Sequence, residues 1–198
     1  MKNIYLDKKY IILIPIFFLA VTSFSQNKSL EKRIILKTNI LSLLAKRPTI
    51  SIEKNFSKTF SAEVSFVQGE FNNFLFTDHY DYNGFLIRFK KYLENIEYRT
   101  LNAYAAGYMG NLKRNIQTEG RSIGSAGYFG YPSRDFSSNS LRFGGSFGLL
   151  YATKSGIVID GQASFGYGRY LNIDKTDPST YSKGFLDTQI WLSIGYSF

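Results

Sequence analysis

The feature that most constrains this chain is a period-two alternation that recurs eight times. It runs over Arg33 to Leu44, Thr49 to Phe56, Thr59 to Val67, Phe85 to Leu93, Leu101 to Gly110, Leu141 to Thr153, Ile157 to Leu171 and Leu186 to Phe198. Successive side chains of a strand point to opposite faces, so each stretch has one apolar and one polar or small face. The last is the clearest: Ile190, Leu192, Ile194, Tyr196 and Phe198 alternate with Gln189, Trp191, Ser193, Gly195 and Ser197. Most are near the ~9 to 11 residues that cross a bilayer as a tilted strand. No stretch after residue 26 carries apolar residues at helical spacing, and no internal repeat or linker appears.

A soluble sandwich also alternates, so the connections supply a second test. Those after the second, fourth and sixth stretches are short: Ser57-Lys58, Glu94 to Thr100 and Lys154 to Gly156. Those after the third, fifth and seventh are long: Gln68 to Gly84, Asn111 to Ser140 and Asn172 to Phe185. Only the first, Ala45 to Pro48, breaks the parity. Tight turns at one end and long loops at the other characterise outer-membrane barrels, and an even strand number lets the sheet close with no unpaired edge in lipid. The expectation is an all-β fold, an eight-stranded antiparallel up-and-down transmembrane β-barrel with both termini in the periplasm.

The first residues read as an export signal. Lys2, Lys8 and Lys9 precede an apolar run of 11 residues, Ile11 to Val21, and Ser23-Phe24-Ser25 offers small residues before a cut. The run is roughly half of what a spanning helix needs, and without cysteine no lipid can be attached there. The organisation expected is a signal peptide over 1–25 and one barrel domain over 26–198. Removing the signal lowers the net charge from +9 to +7. The 44% hydrophobic content excludes a disordered chain, and the absence of Cys excludes disulfide scaffolds and thiolate metal sites.

If the apolar faces meet lipid, the inward set is Lys37, Asn39, Glu53, Glu63, Arg88, Lys90, Arg142, Asp160, Gln162, Asp187 and Gln189. Acids and bases are comparable in number. Strand adjacency suggests pairing Asp187 and Glu53 with Lys37, Glu63 with Arg88, and Asp160 with Arg142. A barrel of about eight strands is just wide enough to be filled by side chains. This polar network is therefore expected to plug the lumen, with a narrow ion path or small ligand cavity as the alternative.

Other motifs carry less. Two G-x-S-x-G matches, Gly120 to Gly124 and Gly144 to Gly148, lack the following helix and later histidine that a nucleophile elbow requires. Gly144, Gly145, Gly166 and Gly168 read instead as kinks or as positions where a narrow barrel has no room. His79, flanked by Asp78 and Asp81, reads as a solvated loop histidine, because no second His or Cys exists to complete a transition-metal site. No catalytic residue, metal site or cofactor is expected. The basic excess is neither one run nor interleaved with stacking aromatics, which argues against nucleic acid. Lys113, Arg114, Arg121 and Arg134, in the third outer loop, would suit lipopolysaccharide phosphates.

The strand Leu36-Lys37-Thr38-Asn39-Ile40-Leu41, then Ile50 to Phe56 and Ile87 to Leu93, resembles an uncharacterised family of outer-membrane barrels from Bacteroidota with an L-K-T-N-x-L opening strand. The resemblance implies the barrel fold and outer-membrane location and transfers no activity. An aromatic-ended last strand is common among substrates of the outer-membrane insertion machinery, which makes that machinery an expected partner beside outer-membrane lipid. The function expected is non-enzymatic, structural or interactive, through long outer loops. Two alternatives are a small barrel enzyme modifying lipid A or phospholipid, and a periplasmic lipocalin-like binding barrel.

Overall fold

A computed structural model describes residues 30, 33–45, 47–74, 77–118, 121–123, 129–131, 134–175 and 184–198. The expected signal peptide lies outside them, as do Gly120 and Gly124 of the first G-x-S-x-G. The described residues form ten strands: β1 (Ile34–Asn39), β2 (Thr49–Asn55), β3 (Phe60–Phe74), β4 (Thr77–Tyr92), β5 (Leu101–Thr118), β6 (Arg121–Ile123), β7 (Phe129–Tyr131), β8 (Arg134–Ala152), β9 (Ile157–Lys175) and β10 (Gly184–Ser197). Eight of them form one closed antiparallel barrel in the order β1-β10-β9-β8-β5-β4-β3-β2, while β6 and β7 make a separate small ribbon. Among the described residues there is no α-helix.

The register fixes the barrel's slant. Partners run from Lys37 through Ser51, Ser65, Leu86, Gly110, Arg142 and Gly168 to Phe185. Continuing the β10–β1 register from Phe185 returns to β1's line at position 47, ten residues from the start. A stagger of ten residues at ~3.3 Å each, spread over eight strand spacings of ~4.8 Å, gives a tilt of about 40°.

The apolar faces point outward. Ile50, Phe66, Phe89, Phe147, Phe165 and Ile190 are all well exposed, Ile190 at 75%. The outward positions turn polar along one line of paired residues: Gln68 faces Asn83, Asn83 faces Lys113, Lys113 faces Asn139 and Asn139 faces Asn172.

Two expectations are corrected here. Two of the segments read as long loops, Gln68 to Gly84 and Asn111 to Ser140, are mostly strand, and β9 carries the third on to Lys175, since β3, β4, β5, β8 and β9 continue past the polar line. His79 and the stacked rings of Phe71, Tyr80 and Tyr82 lie on these extensions. The first stretch does not run to Leu44 as a strand: β1 stops at Asn39 and a 3₁₀ turn covers Ile40–Ala45. Asn39 causes the break. Its side-chain Oδ1 accepts from the Leu41 amide at 3.1 Å, and the Ser42 hydroxyl donates to the Asn39 carbonyl at 2.6 Å, local bonds that compete with the ladder.

Inside, the turn end is closed by apolar packing of Leu30, Ile35, Tyr92, Leu150 and Val158, with Ile96 from the β4–β5 connection. Asn55 Nδ2 donates to the Leu30 carbonyl at 2.8 Å, which draws the chain before β1 into the barrel mouth.

Candidate functional site

Above that apolar floor sits a charged layer. Lys37 from β1 and Lys90 from β4 each contact all three carboxylates of Glu53, Glu63 and Asp160. The Lys37 Nζ distances are 2.6, 2.5 and 2.6 Å, and those of Lys90 are 2.9, 2.8 and 2.8 Å. None of these five side chains is more than 4% exposed. Arg88 Nη1 reaches Glu63 at 2.8 Å, so three cations balance three anions.

The remaining acceptor sites are filled as well. Ser61 Oγ and Tyr92 Oη donate to Glu53, Ser65 Oγ to Glu63, and Tyr104 Oη to Asp160, at 2.6 to 2.9 Å. With its amide oxygen turned to Arg88, Gln162 accepts from Arg88 Nε at 2.7 Å and donates to Tyr104 Oη at 3.0 Å. Buried charges are tolerated on these terms, when paired and fully hydrogen-bonded. The three carboxylates also lie close enough to hold a cation, within 4.8 Å of one another. The two ammonium groups already supply that counter-charge.

Arg88 ends the layer. Its guanidinium lies 4.0 Å from the Trp191 ring centroid and Nη2 reaches Gln189 Oε1 at 3.4 Å. Beyond it a second, looser group surrounds Asp187. Tyr108 Oη donates to Asp187 at 2.9 Å, Gln189 Nε2 at 2.8 Å and Arg142 Nη1 at 3.4 Å. Asp187, Gln189 and Arg142 border a cavity of about 370 Å³, also lined by Arg114, Tyr82 and Trp191.

Ten of the eleven residues assigned inward are buried, and Gln189 is half-buried. Two of the four suggested pairings are not formed. Asp187 meets Arg142 rather than Lys37, and Asp160 meets Lys37 and Lys90 rather than Arg142. The register explains the exchange. Asp160 stands opposite Leu150, eight residues along β8 from Arg142, and eight steps of ~3.3 Å separate the two by about 26 Å. Gly168, opposite Arg142, is also opposite Phe185, two residues from Asp187. Adjacent strands do not place opposite charges at one height unless the register does.

Tyr92, Tyr104 and Tyr108 were missed by reading charge alone. A usable signal was present, because glycine faces several inward aromatics: Tyr104 is opposite Gly148, Tyr108 opposite Gly144, Phe185 opposite Gly168 and Tyr82 opposite Gly69. A Cβ at Gly148 would strike the Tyr104 ring, and one at Gly144 would come within 2.8 Å of Tyr108. The glycines make room for rings that carry hydroxyls to Asp160 and Asp187. Gly145 differs, since it faces outward with only the Ala106 carbonyl near, at 3.9 Å.

The chemical-looking motifs do not converge. Ser146 of the second G-x-S-x-G lies in mid-β8, buried and without a hydrogen-bond partner among the described residues. His79 contacts Asn72 Oδ1 at 2.7 Å and Asp81 at 3.4 Å, and among the described residues no serine hydroxyl bonds to it.

Fold and site together define a closed eight-stranded barrel with an apolar outer wall and a buried, charge-balanced interior. No family model matches the chain, and comparison with curated proteins and with solved structures gives no match.

Proposed function

We propose that this chain is an outer-membrane β-barrel of the Bacteroidota type that its opening strand resembles, with a filled lumen and a non-enzymatic structural or interaction role. The observation that carries the reading is the outward face. On β8 the outward positions are apolar or glycine from Leu141 to Tyr151. Ten residue steps at ~3.3 Å, tilted by about 40°, span a height of roughly 25 Å, which matches the apolar band of such barrels. A water-soluble barrel would instead leave rows of Ile, Leu and Phe against solvent, far beyond an ordinary exposed patch.

The charged layer supports a filled lumen. Lys90, Arg88 and Glu53 are 0% exposed, and the apolar floor lies beneath them. The strand extensions from the polar line upward, carrying Lys113 and His79, form the part that reaches outside for partners, lipopolysaccharide phosphates among them. Carbonate washing of membranes tests the reading. The mature protein stays in the outer-membrane fraction and runs as a heat-modifiable band; release by carbonate or salt would leave the soluble, lipocalin-like alternative in its place.

A further inference from the structure

The barrel wall has a notch. β10 pairs with β9 from Gly184 to Tyr196 but with β1 only from Ser193 to Ser197. On the other side, β3 pairs with β2 only from Ser61 to Phe66, although it continues to Phe74. The short β1–β2 hairpin therefore leaves the upper half of β10 and the upper half of β3 with no strand between them among the described residues. Segment 40–48 lies in the gap and touches both sides: Asn39 Oδ1 accepts from the Leu192 amide at 3.3 Å, and Arg47 meets Glu70, past the polar line of β3, at 3.1 Å.

The cavity beside Asp187 lies along this free edge. It borders seven successive residues of β10, 185–191, including Leu186 and Ile190, which are outward-facing. Three guanidinium nitrogens on its lining are not satisfied. Arg142 Nε, and Arg114 Nε and Nη2, are buried with no hydrogen-bond partner among the described residues, and the Arg142 side chain is only 6% exposed. Arg114 is held flat, 3.7 Å over the Phe185 ring. Two guanidinium groups face one carboxylate, Asp187, so the cavity carries an excess positive charge. Buried, unsatisfied Arg donors beside an opening are what a carboxylate or phosphate would complete.

We propose that notch and cavity form a laterally entered site for an anionic amphiphile. The carboxylate or phosphate head lies at Arg142 and Arg114, and the acyl chain leaves along β10, over Leu41, Leu186 and Ile190. Leu41, Leu186 and Ile190 are 38%, 62% and 75% exposed. The volume, about 370 Å³, equals roughly a dozen waters, enough for a head group and the first methylenes. This inference rests on the membrane reading, because the tail exits within the apolar belt.

The test uses the full mature chain in neutral maltoside micelles. Trp191, the single tryptophan, lines the cavity and reports binding by its emission. Myristate and dodecyl phosphate are titrated as mole fractions in the micelle, with acetate, inorganic phosphate and dodecanol as head-only and tail-only controls. At least one amphiphile binds about tenfold or more tighter than its own head or the alcohol, and which one binds distinguishes a fatty acid from a lipid phosphate. Arg142→Gln weakens binding by roughly tenfold to a hundredfold, the range for a charge-assisted hydrogen bond. Arg114→Gln, at the half-exposed rim, serves if Arg142→Gln does not fold, and Arg142→Lys restores part of the affinity. The proposal is overturned if neither amphiphile binds, if the soluble anions bind as well, or if both Gln variants bind unchanged. Failure in a protein that resists carbonate extraction removes this inference alone, whereas carbonate release removes the membrane reading beneath it.

Discussion

Replacing Lys37 by Met removes one ammonium from the centre of the charged layer and leaves its neighbours in place. The wild-type layer sets Lys37, Lys90 and Arg88 against Glu53, Glu63 and Asp160. The variant has two cations for three anions, an uncompensated charge at a site where every partner is at most 4% exposed. Stripping one member from a buried ion network costs about 3 to 5 kcal/mol, so the folding constant falls by roughly a thousandfold. Urea-dependent folding into lipid vesicles, scored by the heat-modifiable band, measures it. The second half of the prediction separates charge balance from packing: Asp160→Asn added to Lys37→Met restores two against two, and the double variant is more stable than Lys37→Met alone. A Lys37→Met variant within about 1 kcal/mol of wild type, with no recovery in the double, would refute the reasoning.

Two adjacent glycines give an internal control: Gly144→Val collides with the Phe165 carbonyl, the Gly166 backbone and the Tyr108 ring and costs about 1 to 3 kcal/mol by overpacking, whereas Gly145→Val, facing outward, stays within about 0.5 kcal/mol in the same vesicle titration. Planar-bilayer recordings give no steady large conductance, because the layer at Lys37 and Lys90 and the floor at Leu150 and Val158 fill the lumen. His79→Gln leaves folding within about 0.5 kcal/mol and the lipid A mass spectrum of the expressing strain unchanged. Altered lipid A acylation would instead support the barrel-enzyme alternative.

The lower barrel was legible in the sequence because its two faces contrast at every step, as in Ile190 to Phe198 against Gln189 to Ser197. The strand extensions were not, because their contrast is inverted: Gln68, Glu70 and Asn72 on β3 and Asp81 and Asn83 on β4 put polar residues outward, while Phe71, Tyr80 and Tyr82 take the other face, so the apolar outer face that marks the lower strands stops. Backbone pairing holds them as strand regardless. The turn after Asn39 hid in an apolar run, Ile40-Leu41-Ser42-Leu43-Leu44, and only the Asn and Ser with their local hydrogen bonds mark it.

The inward residues could be named, yet two of their partners could not, since pairing depends on the register around a staggered ring. A one-sided view of charge also left the tyrosines out, although Tyr104 and Tyr108 each lie opposite a glycine that the ring covers. The notch was invisible for a related reason: it follows from how far β1 and β2 pair, and no residue in either strand announces where its neighbours continue alone.

The central claim is that the wall from the β8–β9 turn to the polar line crosses a membrane. The chain has no cysteine, so single cysteines can be read without background. Lys113 is exposed on the polar line of β5, and Lys154 is exposed in the tight turn between β8 and β9. With a membrane-impermeant maleimide on intact cells, Lys113→Cys is labelled and Lys154→Cys is labelled only after the outer membrane is breached. Equal labelling of both positions on intact cells, or labelling of neither until the cells are opened, would contradict the account.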